Sequence, residues 1–136
     1  MKKLPTDRNI LKKIYYSYYG IFNDFERVSK TRSSKIYVPI DIEKISNDFN
    51  VDNDLIFGRL YYHLDKKYGY TQTDGSKVHL FTPKVGSDKN AVNFPLLGAI
   101  LSEMEEAYRK NRLSIILSIA ALLISLFTFL FSIYQY

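Results

Sequence analysis

The sequence predicts an α+β domain over residues 1–84 that leads, through a long C-terminal helix, into a single transmembrane span. Three observations carry this reading. Residues 113–133 (LSIILSIAALLISLFTFLFSI) contain no charged side chain. Upstream, apolar residues recur at helical spacing in several stretches. An Asp-Gly pair at 74–75 separates two β-prone runs, a strong short-range hairpin signal. The overall composition of the 136 residues, 46% hydrophobic and 24% charged, hides this uneven distribution. Aromatic residues at 15% argue against a disordered chain. With no Cys, disulfides, thiolate catalysis and Cys-based zinc sites are excluded.

Taken in order, residues 6–28 read as a helix. Ile10, Leu11, Ile14, Tyr18, Ile21, Phe22 and Phe25 form its inner stripe, and Thr6 or Asp7 caps its start. A break at Ser29–Lys35 is rich in Ser, Thr and basic residues. Lys35–Pro39 reads as a short strand stopped by Pro39. Asp41 caps a brief helix with Ile42, Ile45 and Phe49 inward, and residues 50–52 turn the chain. Asp52 caps a longer helix that ends near Tyr68 or Gly69, with Phe57, Leu60, Tyr61, Leu64 and Tyr68 as its apolar stripe. Gly58 stands inside this helix, where Gly costs about 1 kcal/mol relative to Ala, so close packing against that turn is expected. The hairpin follows as Tyr70–Thr73, a turn at Asp74-Gly75, and Lys77–Thr82.

Val85–Asn93 reads as a polar linker, extending over 85–95. Pro95 suits the first turn of a juxtamembrane helix, residues 96–112, about 25 Å long. Its Leu96, Leu97, Ile100, Leu101 and Met104 are too apolar for an isolated stalk. They are expected to pack on the domain or on a second copy.

This order of helix, strand, helix, turn, helix and hairpin resembles the winged helix-turn-helix family over about residues 6–84. The residues that carry the resemblance are VPIDIEKISNDFNVDNDLIFGRLYYHLDKKYGY followed by TQTDGSKVHLFTP. The resemblance implies a recognition helix at Asp52–Tyr68 and a small β-wing at Tyr70–Thr82. It implies that Arg59, Tyr62, His63 and Lys66 on that helix and Lys77 on the wing meet a partner, which in many members is DNA.

The charge distribution complicates a DNA partner. Residues 52–68 hold three acids (Asp52, Asp54, Asp65) and three bases (Arg59, Lys66, Lys67), a neutral sum. Phosphate contacts supply most non-specific DNA affinity, so a neutral helix starts poorly. The basic surplus lies earlier. Residues 1–35 carry nine Lys or Arg against Asp7, Asp24 and Glu26, a balance of +6; the chain totals +5, so everything after residue 35 sums to −1. Lys2, Lys3, Arg8, Lys12 and Lys13 form the candidate basic surface, suited to anionic lipid, to nucleic acid or to an acidic protein, or simply to solvent.

Residues 113–133 give a helix roughly 31 Å long, matching a hydrocarbon core of about 30 Å. Arg109, Lys110 and Arg112 flank its start, whereas Tyr134, Gln135 and Tyr136 form a short distal tail, residues 134–136. The positive-inside rule then predicts a single-pass protein of the cytoplasmic (inner) membrane with its N-terminus in the cytoplasm. This layout resembles tail-anchored membrane proteins. Ser114, Ser118, Ala121, Ser125, Thr128 and Ser132 recur at heptad spacing and make a stripe of small residues, which predicts self-association into a homo-oligomer. The alternative is that these hydroxyls bond back to their own helix.

No catalytic signature, cofactor motif or metal set is visible, so a non-enzymatic role is expected. Residues 48–54 (DFNVDND) alternate like a calcium loop, but Asn53 stands where Gly is needed and Arg59 where Glu is needed. The expected partners are membrane lipid, a second copy, and a cytosolic protein or nucleic acid. Three roles remain open on the sequence: an adaptor or sensor, a membrane-anchored transcription regulator, and a membrane-perturbing effector of a toxin or antiviral defence system.

Overall fold

Short-range caps set where the helices of this α+β chain begin. The computed structural model describes residues 3–26 and 32–135, and the chain divides into two units, Met1–Leu101 and Ser102–Tyr136. In the first unit Thr6 is extended, and its Oγ1 accepts the Asn9 amide at 3.2 Å to open helix α1 (Asp7–Asn23). A single 3-10 turn, Asp24–Glu26, follows. Ile10, Leu11, Ile14 and Tyr18 are buried, as the periodicity predicts. Ile21 is exposed instead, since in the last turn Phe22 takes the inward place and stacks on Phe94 at 4.9 Å. The end of the predicted helix and the start of the Ser29–Lys35 break fall on residues 27–31, outside the described residues.

Strand β1 (Tyr37–Pro39) leads to helix α2 (Ile42–Phe49), capped by Asp41 Oδ1 on the Lys44 amide at 3.1 Å. The Tyr18 hydroxyl accepts the Asp41 amide at 2.8 Å and so ties α1 to the start of α2. Burial of that phenol raises its pKa above the usual value. Asn50 turns the chain in the left-handed conformation, φ 53°, which Asn tolerates well. Asp52 then caps helix α3 (Asn53–Gly58) through the Asp54 amide. Without a break, α3 runs into a π-helical stretch (Arg59–Asp65) and a last α-turn, α4 (Lys66–Tyr68).

The buried seam of this composite helix is Ile56, Leu60 and Leu64, spaced by four; Tyr61, placed on the apolar stripe by its spacing, is exposed. Four residues overshoot an α-turn of 3.6 and undershoot a π-turn of about 4.4. Passing from one winding to the other keeps a strict four-residue spacing on one face.

The expected single hairpin divides in two. Strands β2 (Tyr70–Thr71) and β3 (Lys77–Val78) pair around Asp74-Gly75, with Gly75 at φ +85°. Strand β4 (Phe81–Val85) belongs to another sheet, with β5 (Asp88–Asn93) and β1, antiparallel throughout in the order β1-β5-β4. Residues 85–95 are therefore not a linker. Val85 ends one strand, Gly86 and Ser87 make the turn, and Asp88–Asn93 is the central strand. Gly86 takes φ +57°, and a Cβ there would come within 2.6 Å of Ser33 Oγ. The Val38–Val92–Phe81 row crosses the sheet with all three side chains fully buried.

Helix α5 (Phe94–Tyr134) starts two residues before the predicted point. Within the first unit, Phe94 stacks on Tyr15 at 5.5 Å, and Leu97, Ile100 and Leu101 are buried. This answers the question the stalk residues posed: its first turns pack on the domain. The second unit, from Ser102 onward, is helical to Tyr134, and its side chains from Leu113 to Ile133 are all exposed. By length and composition α5 is sufficient to cross a membrane.

Close packing at Gly58 is not found. A Cβ there would meet only Tyr62 Cδ2 at 3.7 Å, an ordinary contact, and the backbone is regular helix (φ −61°, ψ −37°). Gly58→Ala should therefore stabilise the first unit by about 0.5–1 kcal/mol, read as a raised midpoint in denaturant unfolding of the full chain in detergent. A lowered midpoint would contradict the open space at this turn.

Candidate functional site

The π-helical winding decides which predicted contact residues are free. Arg59 and His63, four apart, lie on the same face in this wider turn, and both reach Asp7 in the first turn of α1. Arg59 Nε donates to Asp7 Oδ1, and His63 Nε2 lies 3.3 Å from Oδ2. The Asp7 side chain is only 18% exposed. Two of the five predicted contact residues are thus occupied within the chain. Tyr62, 71% exposed, points outward, and Lys66 and Lys77 are exposed.

Lys66 and Lys77 meet in a cleft where the helix end faces the β2–β3 hairpin. Asp65, Gly69, Tyr70, Thr71, Val78 and His79 complete its lining, and its volume is about 170 Å³. Arg59, Tyr62 and His63 do not line it. Gly69 lets the chain turn tightly here: its amide donates to Asp65 O at 2.7 Å, and a Cβ would sit 2.6 Å from that same oxygen. At the hairpin tip, the Ser76 hydroxyl and amide both donate to Asp74, which holds that carboxyl below its ordinary pKa and keeps it ionised.

Asp65 fixes the geometry of the cleft. Its Oδ1 accepts the amides of Leu80 (2.7 Å) and Phe81 (3.1 Å), and its Oδ2 lies 2.9 Å from His79 Nδ1. One carboxylate, 12% exposed, therefore joins the helix to the crossing between the two sheets. Sequence reasoning counted Asp65 only as a charge. A carboxylate near a helix C-terminus opposes the helix dipole, and that misfit was the available signal that it has a partner elsewhere. Asp7 carried no such signal, because an acid in a first turn is already explained by the dipole.

The predicted basic surface is partly absorbed by the fold. Lys13 Nζ pairs with Asp48 of α2 at 2.8 Å. Lys3 is exposed, Arg8 and Lys12 are half-buried, and Lys2 lies outside the described residues. Arg32, part of the same surplus, donates to the carbonyls of Ile21, Ser34 and Lys35 and lies over the Phe25 ring at 4.5 Å. Burial lowers its pKa, against the opposing pull of Asp88. Asp48 and Asp52 of the calcium-like run serve an ion pair and a cap, respectively. Among the described residues, no three His, Asp or Glu side chains converge as a metal-holding group.

In the second unit, Lys110 Nζ pairs with Glu106 Oε1 at 2.7 Å, while Arg109 and Arg112 are exposed beside it. On the small-residue stripe, Ser118 Oγ donates to Ser114 O and Thr128 Oγ1 to Ser125 O, both at 2.9 Å. These two hydroxyls bond back to their own helix. Ser114, Ala121, Ser125 and Ser132 are exposed along the same run. Tyr134 is exposed, and Tyr136 lies outside the described residues.

No protein-family model, no curated protein and no solved structure matches this chain.

The role given to Asp65 is directly testable. Asp65→Ala leaves two buried amides without their acceptor and should destabilise the first unit by roughly 2–4 kcal/mol in denaturant unfolding. A loss below about 0.5 kcal/mol would show that the carboxylate does not hold the cleft together.

Proposed function

We propose that this chain is a non-enzymatic, membrane-tethered winged-helix adaptor or sensor, which holds a cytoplasmic partner at the bilayer surface. The observation that carries this reading is the Lys66–Lys77 cleft, a cationic recess on the first unit of a chain whose second unit bares a membrane-length apolar face. The element order and the β1-β5-β4 sheet support the winged-helix part. The wing is then the β4–β5 hairpin, and β2–β3 is an additional hairpin that carries Lys77 to the end of the composite helix.

Fourteen Leu, Ile and Phe side chains between Leu113 and Ile133 are exposed. At about 1.5–3 kcal/mol for each large apolar side chain buried, lipid stabilises this segment by tens of kcal/mol over water. Arg109, Lys110 and Arg112 favour the cytoplasmic side for the first unit, in the inner membrane. The small-residue stripe suits close helix approach, so the span also gathers copies into a homo-oligomer. A membrane-anchored transcription regulator is the weaker reading, because Asp7 already pairs with Arg59 and contacts His63 on the helix that would enter DNA.

The test is capture by the full-length chain in mild detergent after crosslinking in cells. Lys66→Glu with Lys77→Glu should lower recovery of the crosslinked partner about tenfold, the scale of a lost interfacial charge contact, without moving the chain out of the membrane fraction. Equal recovery by wild type and variant would remove the cleft from the interface. A labelled DNA duplex that binds the full chain with a steep inverse salt dependence would favour the transcription regulator instead.

A further inference from the structure

Two guanidinium groups stand at the edge of the apolar run with no ionic partner among the described residues. Arg109 and Arg112 share one side of α5 with Ser102, Glu105, Glu106 and Tyr108, and together these residues line an open recess of about 340 Å³. Lys110, between the two arginines in sequence, is neutralised by Glu106. Among the described residues, neither Arg109 nor Arg112 forms a salt bridge. The sequence reading treated all three bases alike, as markers of orientation; the ion pair separates Lys110 from the other two.

The order of charges along the helix axis is informative. At about 1.5 Å per residue, Arg112 lies roughly 1.5 Å and Arg109 roughly 6 Å from the first residue of the uncharged run, Leu113. Glu106 and Glu105 lie roughly 10 and 12 Å away on the same scale. The free cations are thus level with the phosphates that border a hydrocarbon core, and the acids lie beyond them. Tyr108, half-exposed and amphipathic, suits the same interfacial depth. A guanidinium offers a planar fork of donors that matches two phosphate oxygens at once, and two such forks one turn apart can hold one phosphate between them.

We infer that Arg109 and Arg112 form a binding site for the phosphate of an anionic phospholipid headgroup; this rests on residues 113–133 spanning a membrane. An anionic headgroup is specified because the ammonium of a zwitterionic one neutralises its own phosphate and competes with the two arginines. The site is independent of the Lys66–Lys77 cleft and of whatever partner that cleft takes.

The experiment uses the full-length chain in mild detergent, offered phosphatidylglycerol or phosphatidylcholine, with retained lipid counted by native mass spectrometry. The wild type should retain phosphatidylglycerol in preference by about twentyfold, the scale set by two cations at an anionic surface. Arg109→Gln with Arg112→Gln should bring the two lipids within about twofold, whereas Lys110→Gln should keep the preference. Millimolar inorganic phosphate should leave the retained lipid in place; full displacement would mean a site for soluble phosphate and would overturn the assignment. Equal retention of both lipids by the wild type, or an unchanged preference in the double variant, would also overturn it. Flotation with vesicles of phosphatidylcholine alone separates the two levels of the argument. A chain that floats but shows no lipid preference defeats only this site, and a chain that does not float defeats the membrane reading beneath it.

Discussion

An unbroken run of uncharged side chains that nothing in its own unit covers is the constraint on which the chain's organisation depends. Every side chain from Leu113 to Ile133 is exposed, and outside the stripe of small residues the run is apolar. Its backbone hydrogen bonds are satisfied within the helix, which is the condition a single segment must meet to sit in hydrocarbon. Two of its five hydroxyl side chains, those of Ser118 and Thr128, also donate to carbonyls of their own helix. Monomeric soluble proteins rarely expose an apolar surface of this extent. By length and composition the helix that carries it is sufficient to cross a membrane.

The first unit shows why charge counting along the sequence misjudges the charge of a surface. The neutral sum over residues 52–68 is correct as arithmetic, yet the charges are not shared evenly in space. Asp65 turns inward to the amides of Leu80 and Phe81, while Lys66 next to it turns outward. Arg59 and His63 are bound to Asp7, an acid outside the counted window. The cationic surface that results is smaller than the predicted one and displaced toward the hairpin, where Lys66 and Lys77 stand together. The same holds at the start of the chain, where Lys13 and Arg32 are consumed in holding the fold.

What could be read from the sequence was what neighbours in sequence decide. Thr6, Asp41 and Asp52 cap the helices they were expected to cap, because a cap bonds an amide only two or three residues ahead. The Asp74-Gly75 turn is equally local. Strand β5 was hidden because DKNAVN is mostly polar and lacks alternation: Ala91, Val92 and Asn93 are buried in succession through pairing with β1 and β4. Its place as the central strand depends on β1, more than fifty positions away, as well as on the neighbouring β4, and strand propensity depends on such context. The Asp7 contact with Arg59 and His63 was hidden for the same reason. Of the candidate site, the sequence supplied the two lysines but not the carboxylate that positions the surface between them.

Alkaline carbonate extraction of membranes from cells that express the full-length chain tests the central claim most directly. The account predicts that the protein stays with the pelleted bilayer at high pH and enters solution only when detergent is added. Recovery of the intact chain in the detergent-free supernatant would contradict it, and would require another cover for the apolar face of residues 113–133.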